Sequence, residues 1–243
     1  MNIQNKTILI TGANRGIGRA LVTEALRRGA KRVYAGTRSG ELQNADSRVT
    51  PLTLDVTNTA QIQAAVEKVE SLDILINNAG LALYDDLSDR AALEQSLAIN
   101  LYGPYGVTQA FLPLLTGSRG AIISVLSLSS IAAVPFSPAY SISKAAAFSL
   151  SQSLRALLAG RGIKVHVVLP GPVDTDMTRD LDISKASPES VARAIFDGVE
   201  KGEEDIFPDP MSESMAESWR SGAAKALERQ LAALVEAEPV KSA

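Results

Sequence analysis

The sequence predicts an α/β protein: a single doubly wound parallel sheet of Rossmann type with helices on both faces. Three observations predict it. Short apolar runs alternate with amphipathic stretches of ten or more residues as far as about Lys201. The runs are apolar throughout rather than alternating, as strands buried between two helix layers are. A glycine-rich turn lies directly between the first run and the first amphipathic stretch.

Lys6–Thr11 reads as the first strand. The glycine turn follows, then a helix with Ile17, Leu21, Val22, Ala25 and Leu26 on one stripe, ending at Gly29. Arg32–Thr37 and Val49–Leu54 are the second and third strands, the latter closed by Asp55. Thr59–Glu70 is helical, with Ile62, Ala65, Val66 and Val69 on one face, and leads to a fourth strand at Leu72–Ile76. Helices are predicted over 88–99 and 101–115, a fifth strand at Ala121–Leu126 and a long helix from Pro138 to Ala159. Ile163–Leu169 is a sixth strand, cut off by Pro170-Gly171-Pro172; a helix over 188–201 and a short strand at Asp205–Phe207 complete the alternation. No Pro/Gly/Ser-rich linker interrupts it before Gly202, so residues 1–208 read as one doubly wound domain. Residues 209–243 read as an amphipathic helical tail. Between Met211 and Ala237 the stripe Met215, Trp219, Ala223, Leu227, Leu231 and Leu234 is expected to pack on its own subunit, with covering a substrate pocket or meeting another subunit as the alternatives.

Composition removes several chemistries. Of 243 residues, 46% are hydrophobic and 21% charged, which excludes disordered and collagen-like classes. The 24 basic and 27 acidic side chains leave a net charge of −3, with no excess of positive charge for nucleic acid. There is no cysteine, hence no disulfide framework, thiolate metal site or Cys nucleophile. The single histidine leaves little for a zinc site or a Ser-His-Asp triad, and no metal is expected. His166 is expected to be a packed strand residue, Trp219 a core or interface residue, and the pairs Asp85-Asp86 and Glu203-Glu204 solvated loop charges. No apolar run approaches the ~20 residues of a membrane-spanning helix, and the N-terminus lacks signal-peptide features. The expectation is a soluble, cytoplasmic protein with neither nucleic acid nor membrane as partner.

The turn Thr11-Gly12-Ala13-Asn14-Arg15-Gly16-Ile17-Gly18 suits a pyrophosphate. Gly12 permits a tight turn, Gly16 lets backbone approach a ligand, and Gly18 lets the helix sit close to the sheet. Exposed amides at the helix N-terminus then face the anion. A Walker loop would need Gly-Lys-Ser/Thr, which is absent. The second strand ends Gly36-Thr37-Arg38-Ser39, without the carboxylate that would bind an adenosine ribose 2′-hydroxyl. Arg38, assisted by Arg15, can instead pair with a 2′-phosphate, which favours NADP(H) over NAD(H).

Tyr140-Ser141-Ile142-Ser143-Lys144 places a phenol and an ammonium one helical turn apart on one face. A nearby ammonium favours the phenolate and lowers its pKa, making the pair a credible proton donor or acceptor for an alcohol/carbonyl couple.

Together with Asp55, Asn77-Asn78-Ala79-Gly80, Asn100, Ser127 and Pro170-Gly171, the glycine turn and the Tyr140–Lys144 pair make residues 5–208 resemble the short-chain dehydrogenase/reductase family, in particular its NADPH-dependent carbonyl reductases. The resemblance implies roles. Tyr140 would exchange a proton with the substrate oxygen, and Lys144 would hold the nicotinamide ribose and depress the Tyr140 pKa. Ser127, thirteen residues before Tyr140, would hydrogen-bond the substrate oxygen, with Ser129 as the alternative in the run Ser127-Leu128-Ser129-Ser130. Asn100 would hold a water linking Lys144 to solvent. The cofactor would meet Gly12, Asn14, Arg15, Gly16, Ile17 and Gly18 at its pyrophosphate, Thr37 and Arg38 at its ribose, and Asp55 and Val56 at its adenine. Asn77, Asn78, Ala79 and Gly80 would line the wall beneath the adenosine, and Pro170, Gly171, Val173 and Thr175 would cap the nicotinamide. Dimers or tetramers built on helices around 101–115 and Ala145–Leu158 are also implied.

Substrate would sit at the carboxyl ends of the strands. The segments there supply Leu83, Tyr84, Leu128, Ile131, Val134, Phe136, Met177 and Leu181, an apolar wall that favours a hydrophobic ketone, aldehyde or secondary alcohol. Rival readings are a steroid, sugar or 3-oxoacyl dehydrogenase, or an NADP-sensing regulatory protein with little turnover; intact Asn100, Ser127, Tyr140 and Lys144 weigh against the sensor.

Overall fold

The computed structural model describes residues 1–42 and 46–237; residues 43–45 and 238–243, the latter the end of the predicted tail, lie outside the described residues. Seven parallel strands form one sheet: β1 (Thr7–Thr11), β2 (Arg32–Thr37), β3 (Val49–Thr53), β4 (Ile74–Asn77), β5 (Ala121–Val125), β6 (Lys164–Val168) and β7 (Asp205–Ile206). Their order is β3-β2-β1-β4-β5-β6-β7. The chain winds outward from β1 through β3, then returns to lay β4 against the other side of β1. The strand order thus reverses between β1 and β4, the place where a doubly wound sheet offers a crevice at the carboxyl ends of its strands.

Helices cover both faces, and alternate strand residues feed the two layers. On one face α1 (Gly16–Arg27) and α6 (Pro188–Lys201) pack Leu21, Val22, Ile195 and Phe196 against Ile8, Ile10, Ile74 and Ile76. On the other, α2 (Thr59–Lys68), α4 (Gly103–Ser118) and α5 (Pro138–Ala159) bring Ile62, Phe111, Leu115 and Leu154 onto Leu9, Leu75 and Ile122. Side chains set the ends: Asn58 accepts from Gln61 N to start α2, and Ser187 accepts from Ser190 N to start α6, which stops at left-handed Gly202.

The helices predicted over 88–99 and 101–115 form one rod instead. Helix α3 (Arg90–Leu97) passes through a single π turn, Ala98–Tyr102, into α4, with Gly103 N donating back to Ala98 O. Sequence periodicity does not register one inserted residue; the structure places Asn100 in it.

The tail is broken at Ser221-Gly222 into α7 (Pro210–Arg220) and α8 (Ala223–Ala237), and its stripe divides. Ala216 is buried, and Trp219 meets Phe148 edge-on at 5.7 Å while Nε1 donates to Asp205 Oδ2 at 2.8 Å. Leu227, Leu231 and Leu234 face outward, 54%, 55% and 62% exposed, contrary to the expectation that they pack on their own subunit. Charge fixes the rotation of α8. Lys225 Nζ lies 2.7 Å from Asp205 Oδ2 and 3.0 Å from both Glu204 Oε2 and Glu228 Oε2, while Arg155 of α5 pairs with Asp205 at 2.7 Å and with Glu228.

The acidic pairs are correspondingly more than solvated charges. Glu203 pairs with Arg220 at 3.1 Å, Glu204 with Lys225, and Asp85 accepts from Ala139 N at the start of α5. His166 is buried in β6; Nδ1 donates to Glu203 O at 2.6 Å, and burial lowers its pKa below the usual histidine value.

Candidate active site

The crevice is built by turns that side chains hold in place. Gly12 has φ +65°, and a Cβ there would lie 2.9 Å from Ala79 Cα. A Cβ on Gly18 would stand 2.0 Å from Gly12 O, so only glycine lets α1 begin this close to the sheet. Thr11 Oγ1 accepts from Asn78 N and Ala79 N at 3.0 Å, and Asn78 Nδ2 donates to Thr11 O at 2.9 Å and Gly12 O at 3.1 Å. The Asn78 amide is thus spent on the glycine turn, and Asn77 Nδ2 on Thr108 Oγ1 at 3.0 Å. Their places are those of scaffold residues, tying the loops after β1 and β4 together.

A dinucleotide fits these residues. Arg15, the N-cap of α1, is extended and makes no side-chain cap, so the first-turn amides of α1 remain available to an anion. Ile17 leans partly on the core, and Asn14 and Arg15 are exposed. Asp55 Oδ1 accepts from Thr57 N and Oγ1 at 2.9 and 2.7 Å, bonds that hold its carboxyl below the usual range. Val56 is buried beside it, and Thr37 is buried at the end of β2 with exposed Arg38 next to it. The Arg15 side chain pairs with the loop after β6: its Nη1 lies 3.0 Å from Asp176 Oδ2.

At the other end of the crevice, Gly80, Asn100, Ser127, Tyr140 and Lys144 come together. A Cβ on Gly80 would stand 3.3 Å from Asn100 Oδ1 and 3.6 Å from Lys144 Nζ. The Asn100 amide is fully engaged: Oδ1 accepts from Leu81 N at 2.9 Å, and Nδ2 donates to Leu81 O at 2.8 Å and Ser143 Oγ at 2.9 Å. Any water held by Asn100 therefore falls to its backbone carbonyl. The residue four positions on is Pro104, which has no N–H to offer that carbonyl.

Lys144 Nζ lies 5.7 Å from the Tyr140 ring centroid and donates to Val125 O at 3.0 Å. Burial lowers its pKa to about 8. Burial also raises Tyr140 above its ordinary value, opposed by the nearby hydroxyls of Ser127 and Ser129. Loss of hydration is the largest cause of both shifts. Ser127 is half-buried, and its Oγ accepts from Ser129 N at 3.1 Å. Ser129 Oγ is buried and makes no hydrogen bond of ordinary geometry.

Leu128 N donates to Pro170 O at 3.0 Å, and Gly171 N donates to Asp209 Oδ2 at 2.8 Å. Val173 is buried in a bridge to Ala186, and Thr175 opens the short turn Asp176–Thr178. Sequence reasoning missed three contributors. Asp209 was legible as an N-cap before Pro210, whereas Ser143 and Asp176 carry no local signal. The substrate side is apolar and open: the Tyr84 and Phe136 rings lie 5.9 Å apart, and Met177 and Ile183 are exposed nearby in sequence to Thr175.

Comparison with known proteins agrees with this geometry. The profile described as short chain dehydrogenase matches residues 6–186. An uncharacterized oxidoreductase of Staphylococcus aureus (strain N315) is 34% identical over 209 residues, covering 80% of this chain and 90% of that protein. A short chain dehydrogenase from Burkholderia cenocepacia J2315, solved in complex with NADP, superposes with a TM-score of 0.87 at 34% identity, covering 95% of this chain and 99% of that one. Aldohexose dehydrogenase of Thermoplasma acidophilum, in ligand-free form, shares the fold at a TM-score of 0.71 and 22% identity, over 80% of this chain and 86% of its own.

Proposed function

The chain belongs to the short-chain dehydrogenase family of oxidoreductases, and from that premise we propose that it reduces hydrophobic ketones or aldehydes, and oxidises the corresponding secondary alcohols, with NADP(H). The observation that carries this reading is the half-buried Tyr140 phenol beside Ser127 and Lys144, raised in pKa and hence protonated at neutral pH. A phenol in that state is an acid, the form carbonyl reduction requires.

The nicotinamide, when bound, supplies the hydride to the carbonyl carbon in reduction and accepts it in oxidation. Tyr140 Oη gives its proton to the carbonyl oxygen, and Ser127 Oγ hydrogen-bonds the same oxygen as charge builds on it. Lys144 holds the ribose hydroxyls and places a positive charge beside the phenolate that Tyr140 becomes. A water on the Asn100 carbonyl returns the proton through Lys144. Gly12, Asn14, Arg15, Gly16, Ile17 and Gly18 hold the pyrophosphate, Asp55 and Val56 the adenine, and Pro170, Gly171, Val173 and Thr175 the nicotinamide. Arg38, with Arg15, reads the 2′-phosphate. NADP in the Burkholderia relative and the lack of an acid after β2 support that choice.

The aromatic and aliphatic wall of Tyr84, Phe136 and Met177 supports an apolar substrate. Residues 1–208 act as the catalytic unit, with α7 and α8 fixed to it. Exposed Tyr102 of the π turn, Tyr105 of α4 and Leu157 of α5 support self-association into two or four copies. Among the described residues no helix is long and apolar enough to cross a membrane.

Tyr140→Phe should lower NADPH-dependent reduction of aryl and alkyl ketones by about 10²–10⁴-fold while NADPH still binds. Equal rates for the two proteins would sink the mechanism, and cofactor binding without turnover of any carbonyl by the unaltered protein would favour a sensor.

A further inference from the structure

The loop after β6 is clasped to the glycine turn at two points. Arg15 Nη1 meets Asp176 Oδ2 at 3.0 Å, and a Cβ built on the neighbouring Gly16 would stand 3.0 Å from Thr175 Cγ2. The Asp176 side of the clasp is well supported. Its other oxygen pairs with Arg179, and Thr175 and Thr178 cap the turn reciprocally. Both partners remain open to solvent, Arg15 at 65% and Asp176 at 49% of their side-chain surface. An ion pair so exposed is weak and exchangeable. Arg38, the other arginine assigned to the 2′-phosphate, is exposed and makes no ion pair among the described residues.

We propose that Asp176 is a specificity-determining residue that competes with the cofactor's 2′-phosphate for Arg15. The inference rests on the cofactor reading above, in which Arg15 helps to bind that phosphate. A phosphate dianion offers a guanidinium a stronger, bidentate partner than an exposed carboxylate does, so the exchange runs in its favour. It runs at a discount, because the Arg15–Asp176 pair must first be given up. Asp176 is left paired with Arg179, which keeps that cost small. NAD(H) carries a hydroxyl at the same position and cannot take Arg15 from a carboxylate. The discount therefore falls on NADP(H) alone. The same exchange frees the start of the substrate loop when NADP(H) arrives, and remakes the clasp as the spent cofactor leaves. Asp176 thus trades tightness of cofactor binding for ease of release.

Equilibrium titrations of NADPH and NADH, followed by the fluorescence of the reduced nicotinamide, test this with the full-length protein and its Asp176→Asn, Arg15→Ala, Arg38→Ala and Arg15→Ala/Asp176→Asn variants. Asp176→Asn should bind NADPH about two- to fivefold more tightly and leave NADH unchanged. Arg15→Ala should weaken NADPH alone, and in the double variant Asp176→Asn should add nothing. The proposal is overturned if Asp176→Asn leaves NADPH affinity unchanged, or tightens NADPH and NADH alike. It is overturned too if the gain persists without Arg15, since Arg179 or net charge would then be its source. If Arg15→Ala and Arg38→Ala both leave NADPH affinity unchanged, it is the cofactor reading itself that fails.

Discussion

Lys144 and Lys225 are buried to nearly the same degree, 5% and 2% exposed, but one has a backbone carbonyl for company and the other three carboxylates. Around Lys225 the charges balance. Burial alone would push the Asp205 carboxyl up, yet Arg155 and Lys225 outweigh it and hold it below the usual range. The cluster joins α5, β7 and α8 and does no chemistry. Around Lys144 no carboxylate among the described residues balances the charge, and its pKa falls to about 8. An uncompensated buried cation lowers stability. The molecule carries that burden at the place where the proposed mechanism uses a mobile proton and a ribose-binding ammonium. The contrast separates scaffold from site by energetics, without reference to any motif.

Substitutions at the two positions should therefore have opposite consequences. Lys144→Met should reduce carbonyl reduction by about 10²-fold or more; a variant with near-normal kcat/KM would remove Lys144 from the mechanism. Lys225→Met should leave kcat/KM close to that of the parent but cost roughly 3 kcal/mol of stability, read as a lowered urea midpoint. An unchanged midpoint would mean that Arg155 alone neutralises the cluster.

The pH profile sharpens the comparison further. Below about pH 8 Lys144 is charged, so kcat/KM for the cofactor in the reductive direction should decline as pH rises through about 8. Lys144→Arg, charged throughout, should lack this limb. Stability moves the other way. The folded pKa lies below the unfolded value, so the cost of the buried charge is full below about pH 8 and is relieved between about 8 and 10.5. At neutral pH, Lys144→Met should for that reason gain on the order of 1–2 kcal/mol over the parent, the net of about 3 kcal/mol of relieved charge burial and what Val125 O loses as an unpaired acceptor. A lower thermal midpoint for this variant than for the parent would show that Lys144 is a structural residue after all.

Much of this was legible in the sequence, for identifiable reasons. Helix α5 runs from Pro138 to Ala159 as read, because Pro at its first turn and an unbroken helix-forming run are local signals. The parallel sheet was legible because strands buried on both faces must be apolar throughout. The π turn at Asn100 was not, since one extra residue barely disturbs a helical pattern. The depth of Tyr140 and Lys144 was not legible, because spacing reports that Lys144 is near but not that both groups are dehydrated. The leucines of α8 were misassigned for a related reason. Periodicity identifies a stripe, but which face turns inward was settled by Arg155 and Asp205, residues far away in sequence.

Asp209 has a consequence for anyone wishing to shorten or recombine this protein. One carboxylate both starts α7, accepting from Met211 N and Ser212 N, and holds Gly171 N in the turn after β6. The apparent seam after Pro208 is therefore not a place to cut: trimming the helical tail there would also loosen a turn to which the proposed mechanism assigns the nicotinamide. A chimera that exchanges tails must carry Asp209 with the catalytic half, together with enough of α7 to keep its carboxylate aimed.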